Sequence, residues 1–252
     1  MIGKPTRWTI GLLLAGAIVI VAGIVVIAHR QQNLTIADSS LVGAVSEPSG
    51  PHAVDVNFAD VAPGPVPAKL GQNTLSTVEK GDNSAPLSIK DGKLSHGNPL
   101  VKDSASYLEA TLAHPVERLG GTVTFAPYSG SVAFVIWQSP LKLGVDGHDT
   151  NSPNAGVHFV AGPGTWSIGV WEAGTGQRVL KSGTYKAAAF GTPEVFDISR
   201  EGATATIMLP DGQRQVISDP SIAAWSGPVA CWELYEARPG LAPASVEAIW
   251  AN

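Results

Sequence analysis

Three groups of residues carry side chains that could do chemistry. The first is the run Gly144-Val145-Asp146-Gly147-His148-Asp149-Thr150-Asn151. Asp146, Asp149 and Asn151 offer oxygen atoms, with His148 beside them, and Ca²⁺ takes six to eight oxygens from loops of this kind. These three are the candidate ligands if a metal is held; no cofactor is expected, and Ca²⁺ is the one this run could hold. Asp, Gly and Asn are also the ordinary composition of a solvated turn. No ligand spacing suits Zn²⁺.

The second group is acidic. Acid/base chemistry on a glycosidic bond needs two carboxyl groups facing each other across the bond. Within one strand, alternate residues share a face. Glu233-Leu234-Tyr235-Glu236 is the nearest approach to such a run. Its acids are three apart, so a regular strand turns them to opposite sides. A pair drawn from separate strands stays open.

The third group is aromatic. Trp137, Trp166, Trp171, Trp225, Trp232 and Trp250 all lie in the C-terminal three quarters of the chain. Sugar rings present C–H faces that lie flat on aromatic rings, and an exposed Trp beside small residues makes a platform for them. In Thr165 to Trp171, Trp166, Ile168 and Val170 share one face, and Ser167, Gly169 and Trp171 share the other. Trp171 and Ser167 are therefore candidate ligand contacts. Trp137, at the end of an apolar strand, is a third. Trp232 shares a face with Leu234 and reads as core.

Other chemistries lack their signatures. There is no G-x-S-x-G, no Walker loop, no dinucleotide fingerprint, no H-E-x-x-H and no C-x-x-C. Cys231 is the only cysteine, so no intrachain disulfide forms. It sits in Val229-Ala230-Cys231-Trp232 and reads as a small buried hydrophobe. Lys4, Arg7 and Arg30 belong to the N-terminal region, which leaves 13 of the 16 basic residues against all 21 acidic ones for the rest. Nucleic acid needs a basic footprint, so it is excluded as a partner.

The elements that must position these groups are strands. Asp91-Gly92 separates Leu87–Lys90 from Lys93-Leu94, a two-residue hairpin signal. Tyr107 to Leu112 alternates, with Leu108, Ala110 and Leu112 on one face and Tyr107, Glu109 and Thr111 on the other. Ser131 to Trp137 is apolar on both faces, which predicts a central strand. Further strands are expected over 122–125, 157–160, 165–171, 178–181, 195–199, 203–209, 213–217, 229–235 and 245–250. About a dozen strands in one domain make a sandwich or a barrel. The expected fold class is all-β, a two-sheet antiparallel sandwich of the jelly-roll type. No long amphipathic helix is expected after residue 30.

The stretches LSIKDGKLSHG, SASYLEATL, VFDISREGATATIMLPDGQRQV and ASVEAIWA resemble, in their order, the concanavalin A-like or laminin G-like jelly roll. The resemblance spans about residues 70–252. It implies a fold that hosts glycan-binding modules, protein-interaction modules and glycoside hydrolases. The hydrolases of that family carry E-x-D-x-x-E or E-x-D-x-E along one strand, and this chain has no such run.

Trp8 to Ala28 is uncharged and apolar for 21 residues. At 1.5 Å per residue it spans about 30 Å, the hydrocarbon thickness of a bilayer. It is longer than a secretory apolar core and ends in His29-Arg30 rather than at a small-residue cleavage site. Residues 1–30 are thus expected to be a cytoplasmic tip and a single-pass transmembrane anchor in a cell membrane, with residues 8–28 in the bilayer. Lys4 and Arg7 precede the span and Arg30 follows it, which places the N-terminus in the cytoplasm and the C-terminal domain outside. Residues 31–69, with Pro63, Pro65 and Pro67, are expected to form an extended Pro/Gly-rich linker, and residues 70–252 the extracytoplasmic sandwich. The expected function is a tethered binding module for a cell-envelope glycan. The alternatives are a scaffold that binds another envelope protein, and a glycoside hydrolase.

Overall fold

The computed structural model describes residues 52–70, 73–80, 86–96, 104–141, 155–172, 176–236, 238 and 244–252. In chain order the strands are β1 Val54–Asn57, β2 Gly64–Pro65, β3 Lys69–Leu70, β4 Asn73–Lys80, β5 Leu87–Lys90, β6 Lys93–His96, β7 Ser104–Thr111, β8 Arg118–Thr124 and β9 Ser131–Trp137. They continue with β10 Gly156–Gly162, β11 Thr165–Glu172, β12 Gly176–Thr184, β13 Pro193–Glu201, β14 Thr204–Met208 and β15 Arg214–Ser218. A short helix, α1 Pro220–Trp225, precedes β16 Val229–Glu236 and β17 Ser245–Ala251.

These strands make the two antiparallel sheets expected from the sequence. The back sheet has the order β15-β14-β13-β8-β17-β6-β5-β2, with β1 also paired to β17. The front sheet has the order β12-β11-β10-β9-β16-β7-β4-β3. Sequence neighbours β8 and β9 lie in different sheets, as do β7 and β8, so the chain crosses between layers repeatedly. β9 sits mid-sheet between β10 and β16, where its apolar residues on both faces belong.

The core between the sheets follows from alternation. Val132, Phe134 and Ile136 of β9 face inward with Val157, Phe159, Trp166, Ile168, Trp232 and Leu234 from the same sheet. Phe196, Ile198, Ile207, Val246 and Ile249 meet them from the back sheet. Phe134, Phe159 and Phe196 contact one another with ring centroids 5.9 to 6.1 Å apart. Each such side chain contributes roughly 1.5–3 kcal/mol on burial. The Asp91-Gly92 hairpin has φ of 52° and 73° at its two turn residues, which the twist of a two-residue hairpin requires.

Two features depart from expectation. The folded part begins before residue 70. β1 pairs residue by residue with β17 from Val54↔Ala251 to Asn57↔Ala248, and Val54, Val56 and Phe58 are buried in the core. The alternation Val54-x-Val56-x-Phe58 is a strand signal masked by the proline-rich composition that follows it. Helix α1 was also not anticipated. Its signal lay in Asp219-Pro220: the Asp219 side chain accepts a hydrogen bond from the Ser221 amide at 2.9 Å, and Pro220 takes the first turn.

Among the described residues no helix is long and apolar enough to cross a membrane. The expected span at residues 8–28 lies outside them, as does the expected linker up to residue 51.

Candidate functional site

The outer face of the front sheet gathers most of the chemistry the fold offers. Alternation sends one residue in two of each strand to this side, and register decides which of them meet. In one row across the sheet lie Gln177, Trp171, Gly156, Trp137 and Val229. The next row holds Gly169, His158, Val135, Cys231 and Glu109. The third holds Ser182, Ser167, Val160, Ala133, Glu233 and Tyr107.

His158 and Glu233 meet over β9. They stand on β10 and β16, one strand apart, and the small side chain of Ala133 lies beneath. The His158 Nε2 to Glu233 Oε2 distance is 2.8 Å, and both side chains are nearly buried. Nδ1 of the same ring faces the Gln177 amide nitrogen at 3.1 Å. The amide donates to Nδ1, which leaves Nε2 to donate to the carboxylate. The Trp137 indole stacks on the imidazole, centroids 6.3 Å apart and 29° between planes. Trp137 also lies on Gly156, where a Cβ would come within 2.3 Å of its ring. Its indole N–H is buried, with the Cys231 sulfur as the nearby acceptor.

Glu109 is the second carboxyl of this face, and it is buried. Both of its oxygens accept from the Leu141 amide at 3.2 Å, and the Leu141 side chain packs on the apolar cluster around Val135, Trp137 and Cys231. Burial pushes the Glu109 carboxyl up to about 7, against a smaller lowering by the Leu141 amide. Glu109 stands opposite Cys231, and Glu233 stands two residues along from Cys231 on the same strand. Diagonal cross-strand neighbours of this kind are roughly 7–8 Å apart at Cα. Cys231 between them is fully buried, and burial together with the two carboxylates pushes its thiol well above its usual range. It is no nucleophile.

The face has two halves. Around β7, β9 and β16 it is apolar and covered. Around β10, β11 and β12 it opens: Trp171, Ser167 and His158 are half-buried, and Gln177, Val179 and Ser182 are exposed. Trp171 packs with one side against the covered cluster. Of the sequence candidates, Trp171, Ser167 and Trp137 all lie on this one face, with Trp137 in its covered half at 5% exposure. Asp146, Asp149 and Asn151 lie outside the described residues. Among the described residues no group of three or more His, Cys, Asp and Glu could hold a metal.

Glu236, the other acid of the run read from sequence, turns away from Glu233. It is buried and accepts from the Gly130 and Arg238 amides. The partners that sequence reading missed are Glu109 and Gln177. Glu109 was legible as a residue on the Tyr107 face, but its neighbour Cys231 comes from a strand more than a hundred residues later.

No protein-family model and no curated protein sequence matches this chain. Solved structures do. LamAcat from Zobellia galactanivorans aligns at a TM-score of 0.54 with 9% identity, over 79% of this chain and 96% of that one. The fold is the concanavalin A-like jelly roll. A structure described as a native glycosidic hydrolase aligns on the same jelly roll at a TM-score of 0.52 with 11% identity, over 79% and 94% of the two chains. A more distant one, the carbohydrate-binding module CBM66 from Bacillus subtilis, reaches 0.46 with 11% identity over 69% and 91%. At these identities the likeness is one of jelly-roll architecture, and function has to be argued from the side chains.

Proposed function

We propose that this chain is a membrane-tethered, extracytoplasmic module that binds a cell-envelope glycan on the open half of the front sheet. The observation that carries the reading is the place of Trp171. Its half-exposed ring packs with one side against the Trp137 cluster and stands directly beside the exposed Gln177, with His158 diagonal to it and Ser167 and Ser182 further along the same open face. An apolar plate with a polar amide at its edge suits a pyranose, whose C–H face stacks while its hydroxyls bond. Residues 8–28 provide the tether, and the positive residues before them set the domain outside the cytoplasm. Asp146, Asp149 and Asn151 are the residues that would hold a Ca²⁺ ion.

The test uses the full-length chain in lipid nanodiscs, titrated with envelope polysaccharide fragments with and without Ca²⁺. Saturable binding that Trp171→Ala weakens about ten-fold supports the reading. An affinity that this substitution leaves unchanged moves the site elsewhere. Retention of the chain in the membrane fraction after a high-salt wash, and its release by detergent, test the tether.

One observation favours glycoside hydrolysis as a second reading. Glu109 and Glu233 share one face in diagonal positions on adjacent strands, where two carboxyls can serve as an acid and its partner, and the raised Glu109 is the natural acid. Against it, Glu109 is covered and bonded to Leu141, and Glu233 is engaged by His158. Release of reducing ends from a bound glycan, abolished in Glu109→Gln, would decide for it.

A further inference from the structure

Glu194 is a buried carboxyl away from the front face. It stands near the start of β13, opposite Val123 of β8, and is 4% exposed. Its two oxygens hold residues 185–192, a strap that carries the chain from β12 in the front sheet to β13 in the back sheet. Oε1 accepts from the Ala188 amide at 2.6 Å, and Oε2 lies 2.9 Å from the Tyr185 hydroxyl. The Tyr185 ring meets Phe196 edge-on in the core, centroids 5.7 Å apart. The strap has two further ties. The Lys186 amide donates to Asp211 Oδ2 at 2.8 Å, and the Gly191 amide donates to the Phe125 carbonyl at 2.9 Å. The strap also carries the exposed Phe190.

The hydrogen-bond count at Tyr185 is short of one proton. Its hydroxyl has a single hydrogen and two oxygens within reach, Glu194 Oε2 and the Gly162 carbonyl at 3.1 Å. A protonated Glu194 completes the count: Tyr185 donates to Gly162, and the Glu194 O–H donates to the Tyr185 oxygen. We infer that Glu194 is a pH-sensitive latch, which fastens the strap against the core while it holds its proton and releases the strap when it ionises, with both sheets still folded. The surroundings disfavour the ionised form. Burial raises the carboxyl most, against lowering by the Ala188 amide and Tyr185, and the Asp211 charge in the turn between β14 and β15 raises it further. Tyr185 and Lys186 are the titratable groups of the strap itself, and neither Val123 on β8 nor Pro163 and Gly164 between β10 and β11 titrates. The sign follows from the direction of the shift. The fastening is fully present below pH 4.5, the ordinary value of the carboxyl, and is lost as pH rises through the raised one.

Hydrogen exchange of the full-length chain in nanodiscs, read by mass spectrometry, follows the strap and β9 separately. With intrinsic exchange rates divided out, strap protection in the parent is expected to fall at least about ten-fold from pH 4.5 to about pH 8.5, while β9 stays the better protected throughout. Glu194→Gln offers the same bonds as the protonated carboxyl, an N–H toward the Tyr185 oxygen and an acceptor for the Ala188 amide, and it cannot ionise. Its strap protection should stay level over the range. A fall of equal size in Glu194→Gln overturns the latch. The parent also decides by itself, whether or not the variant folds: level strap protection, or strap and β9 losing protection together at one pH, overturns it.

Discussion

Trp137 lies flat over Gly156 on the neighbouring strand, so close that a Cβ there would stand 2.3 Å from the ring and 2.7 Å from the Ile136 carbonyl oxygen. The glycine is what lets the indole cover β10 and stack on His158. Gly156→Ala must therefore push the ring or the strand aside. A loss of about 3 kcal/mol in unfolding free energy is expected, at the upper end of overpacking costs, together with weaker glycan binding because His158 and Gln177 shift with the ring. Urea denaturation and the nanodisc titration read the two effects; an unchanged midpoint would show that the ring has room to move.

Trp171 stands in the same row but is half-exposed, so truncating it separates binding from stability. Trp171→Ala should weaken glycan affinity about ten-fold, equivalent to about 1.4 kcal/mol, while the melting temperature falls by no more than about 4 °C. A large melting loss with little change in affinity would make Trp171 a packing residue.

Glu109 gives the fold a pH dependence of defined sign. Its carboxyl is pushed up from 4.5 to about 7 by burial, so the folded chain keeps a proton that the unfolded chain releases. The stability tied to this group is fully present below pH 4.5 and is lost as pH rises through about 7. Glu109→Gln keeps an acceptor for the Leu141 amide and cannot ionise. Between pH 4.5 and 7.5 the variant should lose less stability than the parent, the difference reaching roughly 3 kcal/mol. Parallel stability curves for the two proteins would show that Glu109 does not titrate in this window.

On the back sheet, Asp197 holds two groups at once. Its Oδ1 accepts from the buried Trp250 indole at 3.1 Å and from Arg118 Nε at 2.9 Å, and its Oδ2 accepts from Arg118 Nη2 at 2.9 Å. Asp197→Ala leaves a buried N–H and a cation without their acceptor, at an expected cost of roughly 3 kcal/mol. Asp197→Asn keeps an acceptor for the indole and should cost less. Chemical denaturation of the pair of variants checks the order.

The amino-acid pattern by itself determined which residues face which way. Leu108 and Ala110 against Tyr107 and Glu109, and Trp166, Ile168 and Val170 against Ser167 and Trp171, were separable because side chains alternate along a strand. The aspartate-glycine hairpin was equally legible, since its backbone demands those residue types. Only the tertiary structure decided which strands stand side by side. His158 meets Glu233 across 75 residues of chain, and Glu109 meets the Leu141 amide across 32. Alternation says that a residue points outward; it does not say what stands next to it, because register and strand order are set by the packing of distant core side chains. For the same reason Val54, Val56 and Phe58 read as part of a linker until β17 gave them a partner.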